Sequence, residues 1–230
     1  MKKPALDARL RAAAAYVRQD AVFADVGTDH AYLPLFLLAE GRISRAVLSD
    51  INEGPLERAR EHAAAYPYFA SLSFHLTNGL CGLEGLGITD IAICGMGGEL
   101  IAEILSAAPF VRDASVRLIL QPMSRPAKLR AYLAAEGFEI LSETYVSAAG
   151  KHYACMCVCY SGVPYALSLF EQEFGKAPDI SNASFLSYLN NKERSLSLAV
   201  RGLESGGGAA REQRALLSEI EAFKKKLMEV

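Results

Sequence analysis

Residues 24–38 read ADVGTDHAYLPLFLL, and this stretch decides the fold of the chain. It joins the end of an apolar run to the start of a helical pattern through a single glycine. Gly27 permits a sharp turn and lets the backbone approach a ligand closely. Asp25, Thr28, Asp29 and His30 surround this turn. Two acids and a histidine around one glycine favour a ligand site over a simple connection.

Apolar runs alternate with helical patterns up to about residue 163. The pattern predicts strands at 21–26, 45–50, 72–76, 89–95 and 116–121, with helices between them. Such alternation is typical of an α/β, Rossmann-like, doubly wound sheet that is mostly parallel. Two further strand-like runs meet around Gly150, which predicts an antiparallel hairpin at one edge of the sheet.

The pattern of apolar residues changes after residue 163, where helical patterns replace the strand-like runs. Two long helical stretches are separated by SGGG at 205–208, which predicts an antiparallel helical hairpin. Leu216, Ile220, Phe223 and Leu227 recur at spacings of four, three and four, as in a coiled coil. We therefore predict a first domain at 1–163 and a helical, coiled-coil-like domain at 164–230.

Composition narrows the class of protein. The chain has 230 residues, 51% hydrophobic content and a net charge of −2, which argues against disorder. No run reaches the roughly 18 apolar residues of a membrane span. The odd count of five cysteines suggests a reduced, cytoplasmic protein, and the alternation of Cys155, Cys157 and Cys159 favours small buried side chains over a metal site. A basic patch near the N-terminus fits nucleic acid about as well as it fits a solvated helix face.

The strand ends suggest what the ligand is. In a doubly wound sheet the ligand lies at the carboxyl ends of the strands. Asp50 ends the second strand, where an acid can accept hydrogen bonds from a ribose diol, and Asn78 follows the third, where it can read an adenine edge. The first turn lacks the G-x-G-x-x-G pattern, and its acids would repel a pyrophosphate but attract a cation. S-adenosylmethionine meets these requirements, with Asp25 or Asp29 holding its ammonium group.

Several of these residues have a second interpretation. Asp29 is also placed to cap the helix that begins near Ala31, and His30 also fits a structural role. The glycines of ICGMGGELI imply either backbone that passes close to a bulky group or a strained turn with positive φ. Arg125, at a predicted helix start, fits either a phosphate contact or an exposed surface position.

The motifs DVGTDHAYLP, ICGMGGELI, LQPMSRP, LAAEGFEI and GKHY, in this order, resemble the TrmK family of bacterial tRNA (adenine-22-N1)-methyltransferases over essentially the whole chain. The resemblance implies a class I S-adenosylmethionine-dependent methyltransferase fold followed by a coiled-coil-like domain. It also implies methylation of N1 of an adenine in the D-loop region of tRNA. The chain departs from the family pattern in reading QPMS at 121–124, where QPNN is common, and in having Asp50, where Glu is common.

The resemblance and the strand-end pattern together give a set of expected site residues. Those expected to bind the cofactor are Asp25, Gly27, Thr28, Asp29, His30, Tyr32, Asp50, Ile51, Asn78, Gly79, Gly95, Met96 and Gly97. Those expected to bind the substrate are Arg9, Arg11, Gly98, Met123, Ser124 and Arg125. Asp29, Gln121 and Pro122 are the expected catalytic residues, and no metal is expected.

The expected chemistry needs little from the protein beyond positioning. N1 of adenine carries a lone pair at neutral pH, so no general base is required, and in-line placement of N1 would supply most of the catalysis. The methylated base is cationic, and the Asp29 carboxylate is placed to stabilise that charge. The base must leave its stack to react.

Two other functions remain open from the sequence. One is a methyltransferase that acts on a small molecule, a protein or another RNA, and the other is a non-catalytic tRNA-binding relative. An NAD-dependent oxidoreductase fits less well, because the phosphate-binding glycines are missing. The expected partner is tRNA, no membrane is expected, and a monomer is slightly favoured over an oligomer.

Overall fold

The computed structural model describes residues 3–205 and 210–229. Its strands are β1 (Ala21–Val26), β2 (Ile43–Asp50), β3 (Leu72–Leu76), β4 (Asp90–Gly97), β5 (Arg117–Ser124), β6 (Phe138–Ala148) and β7 (Lys151–Tyr160). Its α-helices are α1 (Ala8–Tyr16), α2 (Tyr32–Ala39), α3 (Glu53–Ala64), α4 (Gly98–Ser106), α5 (Pro126–Ala135), α6 (Leu169–Phe174), α7 (Ala183–Ser205) and α8 (Arg211–Met228). Short 3-10 turns lie at Phe69–Ser71 and Pro109–Val111.

The seven strands form one sheet in the order β3-β2-β1-β4-β5-β7-β6. The first five are parallel, while β7 pairs antiparallel with both β5 and β6. The α/β, doubly wound prediction and the hairpin around Gly150 are therefore confirmed. The order of strands reverses between β1 and β4, and in such sheets the carboxyl ends at this point open a crevice for a ligand.

Strand boundaries follow the prediction closely at β1 and β3 and extend beyond it elsewhere. The β4–β5 ladder continues past the expected ends, because Met96 pairs with Pro122 and Gly97 pairs with Ser124 after a register shift. Because of this extension, residues 95–98 (the glycine segment) and residues 121–124 (the QPMS segment) lie side by side at the edge of the sheet where a ligand is expected.

Helices cover both faces of the sheet, and each face has its own hydrophobic cluster. Phe23, on β1, is fully buried on one face, and Ile93, on β4, is fully buried on the other. Strands that are buried on both faces read as continuous apolar runs, which is the pattern that the sequence shows.

The C-terminal helices pack against the hairpin and share a core with the sheet. Phe174, Phe185 and Ile220 are fully buried in the same cluster as Leu118 of β5. Lys224 of α8 bonds to Asn190 and Glu193 of α7, so the two helices run antiparallel as predicted.

The structure bears on the predicted coiled-coil-like seam of α8 but does not test the predicted domain boundary. Ile220 of the seam is fully buried, and Leu216 and Phe223 pack beside it. The predicted SGGG break extends beyond Ser205 into residues outside the described part of the chain. The division at 163/164 stays a prediction.

A buried arginine attaches α6, the first helix of this C-terminal region, to the sheet and to α5. The fully buried Arg130, on α5, pairs with Glu143 of β6 and donates to the hydroxyl of Tyr145 at 2.9 Å. It also donates to the main-chain carbonyls of Gln172 and Glu173 at 2.8 and 2.7 Å. These bonds fix α6 against α5 and the hairpin.

Across residues 3–205 and 210–229, no helix combines the length and the apolar character needed to cross a bilayer. In the same ranges, no group of three or more histidine, cysteine or acidic side chains is arranged to hold a metal ion. Cys155 and Cys157 are buried in the sheet as expected, whereas Cys159, near the end of β7, is partly exposed, so the expectation of a buried side chain is wrong for Cys159.

Candidate functional site

The turn after β1 is held against the end of β2. The N–H groups of Gly27 and Thr28 both donate to the carbonyl of Ser49, at 2.8 and 3.1 Å. Gly27 has a φ of +77°, and a Cβ there would lie 2.1 Å from Cε of Met96. The close approach expected at Gly27 is therefore present, and in this structure it is the Met96 side chain that fills the space.

Asp25 presents a buried carboxylate to a cavity of about 330 Å³. Only 9% of the residue is exposed, and burial raises the pKa of its carboxyl to about 6. Thr28 lines the same cavity, and among the described residues its buried hydroxyl has no hydrogen-bond partner other than the neighbouring Asp25 carboxyl, whose pKa it lowers in part. Buried polar groups almost always have partners, so this pair indicates a site prepared for a polar, cationic ligand.

Asp29 and His30 also line this cavity, and Asp29 does not act as the helix cap that was its second interpretation. The N-cap of α2 is Ala31, which has a φ of +55° and no side-chain cap bond, so the capping interpretation is wrong. Asp29 instead accepts two hydrogen bonds from Arg58 of α3, at 2.8 and 2.6 Å, and its side chain is 56% exposed.

The His30 segment is fixed by aromatic neighbours. The carbonyl of His30 accepts a hydrogen bond from Nδ1 of His62 at 2.6 Å. The ring centroid of Tyr32 lies 5.4 Å from that of His30 and 4.9 Å from that of His62. The turn therefore has a rigid aromatic rim on the side of α3.

A second cavity, of about 430 Å³, lies at the same edge of the sheet, beyond the ends of β2 and β3. Ile51 and Asn78 line it together with Ile104, and Ile51 is 61% exposed. Asp50 precedes Ile51 and accepts the N–H of Asn52 at 2.8 Å. Gly79 has a φ of +59°, and a Cβ there would lie 2.9 Å from Ile104. Apolar walls beside an acid and an amide suit a flat, polar-edged ring attached to a diol.

The glycines at the end of β4 and the start of α4 serve two different purposes. Gly95 has a φ of +83° and lines the first cavity, and a Cβ there would meet open space. Gly97 and Gly98 instead face the β5 segment. A Cβ would lie 3.3 Å from the Ser124 hydroxyl at Gly97 and 2.5 Å from the Arg125 carbonyl oxygen at Gly98. Gly98 is therefore required for packing, and only Gly95 presents backbone to the first cavity.

The end of β5 meets the N-terminal helix. Gln121 is fully buried; its amide nitrogen donates to the Pro122 carbonyl at 3.0 Å, and its oxygen accepts from Arg9 at 3.5 Å. Nη1 of Arg9 also lies 2.9 Å from Sδ of Met123, and the guanidinium lies 5.4 Å from the centroid of the Tyr153 ring. Arg9 thus links the first cavity to the QPMS segment.

A third cavity, of about 340 Å³, opens on the other side of this segment. It is lined by Pro122, Met123, Ser124, Arg125, Pro126, Ala127, Tyr145, His152, Tyr153, Ala154, Glu173, Tyr188 and Lys192. Sequence reasoning missed the contributions of the hairpin and of α7. The GKHY motif, which ends at Tyr153, was the available signal.

Two of the expected substrate-binding residues are less well placed: Arg11 lies away from the three cavities, and Arg125 is paired with an acidic side chain. Arg11 is exposed beside Leu6, whose carbonyl it reaches at 3.4 Å, and it lines a separate apolar groove with Tyr16 and Val146. Arg125 reaches the third cavity, but its exposed side chain pairs with Glu99.

Comparison with known proteins gives a consistent picture. Residues 6–156 match the model of a family described as a methyltransferase domain. The chain is 33% identical over 153 residues to the tRNA (adenine(22)-N(1))-methyltransferase of Bacillus subtilis; the match covers 66% of this chain and 64% of that protein. It therefore spans just under two thirds of the length of this curated relative.

Solved structures cover the whole architecture. A proposed tRNA (m1A22) methyltransferase from Streptococcus pneumoniae, solved with S-adenosyl-L-methionine, has a TM-score of 0.80 and 34% identity, covering 96% of this chain and 99% of that one. The B. subtilis M1A22 tRNA methyltransferase TrmK has a TM-score of 0.75 and 25% identity, covering 99% of both chains. The C-terminal helices are thus part of the shared architecture.

Proposed function

The chain belongs to the methyltransferase-domain family that includes the tRNA (adenine-22-N1)-methyltransferases, and on this premise we propose that it transfers a methyl group from S-adenosylmethionine to N1 of adenine 22 in tRNA. The observation that carries the proposal is the buried Asp25 carboxylate, which lines the first cavity beside the Thr28 hydroxyl. Within the described residues, Asp25 forms no ion pair. A ligand with a positive charge would therefore improve the electrostatics of this cavity.

The residues present fit S-adenosylmethionine, which supplies an electrophilic methyl group on a sulfonium when it is bound. In the proposal, Asp25 accepts hydrogen bonds from the ammonium group and the Thr28 hydroxyl bonds to the same end of the molecule. Asp50 receives the ribose hydroxyls, while Ile51 and Asn78 hold the adenine in the second cavity. Gly95 of β4 lines the first cavity without a side chain and so leaves room there for the ligand.

Catalysis in this proposal rests on placement of the target base. Gln121 and Pro122 lie in the last half of β5; Pro122 lines the third cavity, and the fully buried Gln121 accepts a hydrogen bond from Arg9 of the first cavity. In the proposal, the buried Gln121 and the strand-paired Pro122 help to orient N1 and to exclude water. Asp29 contributes negative charge near the cationic product, although Arg58 offsets part of that charge.

The tRNA body would contact the protein through basic side chains outside the cavities. Arg11 on α1 is exposed and suited to a phosphate contact, and the exposed Arg125 would make one by exchanging its ion pair with Glu99. Such contacts release counterions, so we expect the affinity for tRNA to fall steeply with salt. We further propose that the protein acts in the cytoplasm as a monomer, and light scattering after size exclusion tests the oligomeric state.

The decisive experiment is tritium transfer from labelled S-adenosylmethionine to unmodified tRNA transcripts with adenine or guanine at position 22. Label on the adenine transcript alone supports the proposed reaction and site. Calorimetry with the cofactor runs in parallel. Cofactor binding without label on either transcript would overturn tRNA adenine 22 as the substrate, and absence of cofactor binding would overturn the proposal entirely.

A further inference from the structure

The third cavity is built jointly by the sheet and by the C-terminal helices. Met123, at the end of β5, forms one wall, and Tyr153, on β7, forms another. Tyr188 and Lys192, both on α7, complete it. The helical region therefore contributes directly to a concave site at the carboxyl edge of the sheet.

Arg9 places this cavity next to the cofactor cavity. Its side chain lines the first cavity and contacts two residues of the third, Met123 and Tyr153. The Arg9 Nη1 atom lies 2.9 Å from Sδ of Met123, and the guanidinium lies over the Tyr153 ring at 5.4 Å from its centroid. The Arg9 side chain therefore stands between a group bound in the third cavity and the methyl donor, and transfer requires this side chain to move aside so that N1 reaches the methyl group.

The walls of the cavity suit a purine. Three tyrosine rings and a thioether line it, and such groups form the flat, apolar surfaces on which flipped bases stack. Tyr145 and Tyr153 are only 5% and 8% exposed, so each presents part of its ring to the cavity. Tyr145 and Tyr188 lie 5.4 Å apart, centroid to centroid, and their hydroxyls bond to Arg130 and to Glu173 respectively. These two rings are held in place by their partners, whereas Tyr153 lies nearest to Arg9 and the cofactor cavity.

The cavity also carries a cation suited to a phosphate. Lys192 is partly exposed, with its ammonium 3.0 Å from the carboxylate of Glu173. The Glu173 side chain is only 8% exposed, so this carboxylate holds Lys192 beside the cavity. A nucleotide that enters base first would bring its own phosphates toward that ammonium.

We propose that the third cavity receives the flipped target nucleotide, with Tyr153 contacting the face of the base and Lys192 contacting a flanking phosphate. This inference rests on the proposed function and assigns roles to β7 and α7 in holding the substrate. The C-terminal helices then help to form the active site as well as to bind the tRNA body.

The test compares four full-length variants with the unaltered chain: Tyr153→Leu, Tyr153→Phe, Lys192→Ala and Phe69→Leu. Phe69 is an exposed aromatic residue before β3, at the opposite edge of the sheet, and serves as the matched control. Melting temperature and calorimetric affinity for S-adenosylmethionine report on folding and on the cofactor site. Values of kcat and KM for the tRNA transcript report on the target site.

We expect Tyr153→Leu to reduce kcat/KM for tRNA by about tenfold or more, the range seen when a stacking ring is removed. Tyr153→Phe, which keeps the ring, should stay within about threefold of the unaltered chain. Lys192→Ala should raise KM and leave kcat nearly unchanged, because a phosphate contact contributes to binding and not to the reacting geometry. Affinity for the cofactor should be the same in all five proteins.

The outcomes separate this inference from the proposed function. Transfer by the unaltered chain together with unchanged kcat/KM in both Tyr153→Leu and Lys192→Ala would overturn the inference alone. If Tyr153→Leu loses cofactor affinity or melts early, the Lys192→Ala and Tyr153→Phe results decide, and an unchanged KM in Lys192→Ala overturns the inference. Absence of transfer by the unaltered chain would overturn the proposed function and this inference with it.

Discussion

The Cα of Gly98 lies so close to the main chain of Arg125 that a Cβ on Gly98 would be 2.5 Å from the Arg125 carbonyl oxygen. Gly98 is the first residue of α4, and Arg125, with a φ of +52°, is the N-cap of α5. The starts of two neighbouring helices therefore meet at a point where no side chain fits. This contact sets the position of the QPMS segment relative to the glycine segment. It therefore helps to fix the wall between the first and the third cavities.

Replacement of Gly98 by alanine should destabilise the protein and displace the end of β5. Because the obstructing atom is a backbone oxygen, the added methyl group cannot be accommodated by a rotamer change, and such overpacking costs about 1–3 kcal/mol. The free energy of unfolding in urea measures the effect. Gly202→Ala is the control, because a Cβ on this exposed residue of α7 meets open space and alanine favours a helix. A Gly98→Ala protein as stable as the unaltered chain would contradict the packing argument.

Cofactor affinity should depend on the ionisation of Asp25. The pKa of this carboxyl is raised to about 6 by burial, and only the ionised form attracts an ammonium group. At pH 5 we expect binding to be about tenfold weaker than at pH 7, because roughly nine tenths of the carboxyl is then protonated. Calorimetric titration between pH 5 and pH 7 measures the change.

His30 is an ionisable side chain that lines the same cavity, so it supplies the control for this profile. Asp25→Asn should bind weakly and show a flat profile, whereas His30→Gln should keep the loss of affinity at low pH. If His30→Gln flattens the profile and Asp25→Asn does not, the histidine and not the carboxylate governs binding.

The same carboxyl should make the ligand-free protein less stable as pH rises. Its pKa is about 6 in the folded state, against 3.8 for the unperturbed group, so the folded protein holds the proton more tightly than the unfolded chain. Stability from this group is full below about pH 4 and is lost as pH rises through 6. The loss corresponds to roughly two pKa units at 1.36 kcal/mol each, or about 3 kcal/mol.

Asp25→Asn removes this titration and therefore tests it. Between pH 4 and pH 8 the unaltered chain should lose about 3 kcal/mol of unfolding free energy that Asp25→Asn does not lose. The stability of the variant relative to the unaltered chain should therefore rise by that amount. Urea unfolding at the two pH values, without cofactor, gives this difference. A difference that is the same at both values would show that Asp25 ionises as an exposed carboxyl does.

The residues that could be placed from sequence are those whose role follows from local pattern. Asp25, Asp50 and Asn78 lie at or just after strand ends, and the apolar runs fix those ends because buried parallel strands leave little freedom in register. The first two cavities contain or adjoin these residues as expected. Their assignment to cofactor groups stays a prediction.

The contacts that sequence reasoning missed all join distant parts of the chain. Asp29 and Arg58 are 29 residues apart, and Gly98 meets the backbone of Arg125 from a different strand–helix unit. No local period encodes such pairs, since they depend on how two elements pack. The capping interpretation of Asp29 failed for a related reason: Ala31 adopts a left-handed conformation and α2 starts one residue later, which leaves the carboxylate free to reach α3.

The proposed charge role of Asp29 can be separated from its ion pair with Arg58. If the carboxylate stabilises the cationic product base, Asp29→Ala should reduce kcat by about tenfold while changing the affinity for S-adenosylmethionine much less. Single-turnover methyl transfer at saturating cofactor, together with calorimetry, measures the two effects. Arg58→Ala is the matched control, because it removes the hydrogen bonds at 2.8 and 2.6 Å and keeps the carboxylate. That variant should keep full turnover or exceed it, since the negative charge is then no longer offset. If Arg58→Ala loses as much turnover as Asp29→Ala, the ion pair shapes the turn after β1 and the carboxylate has no separate part in the reaction.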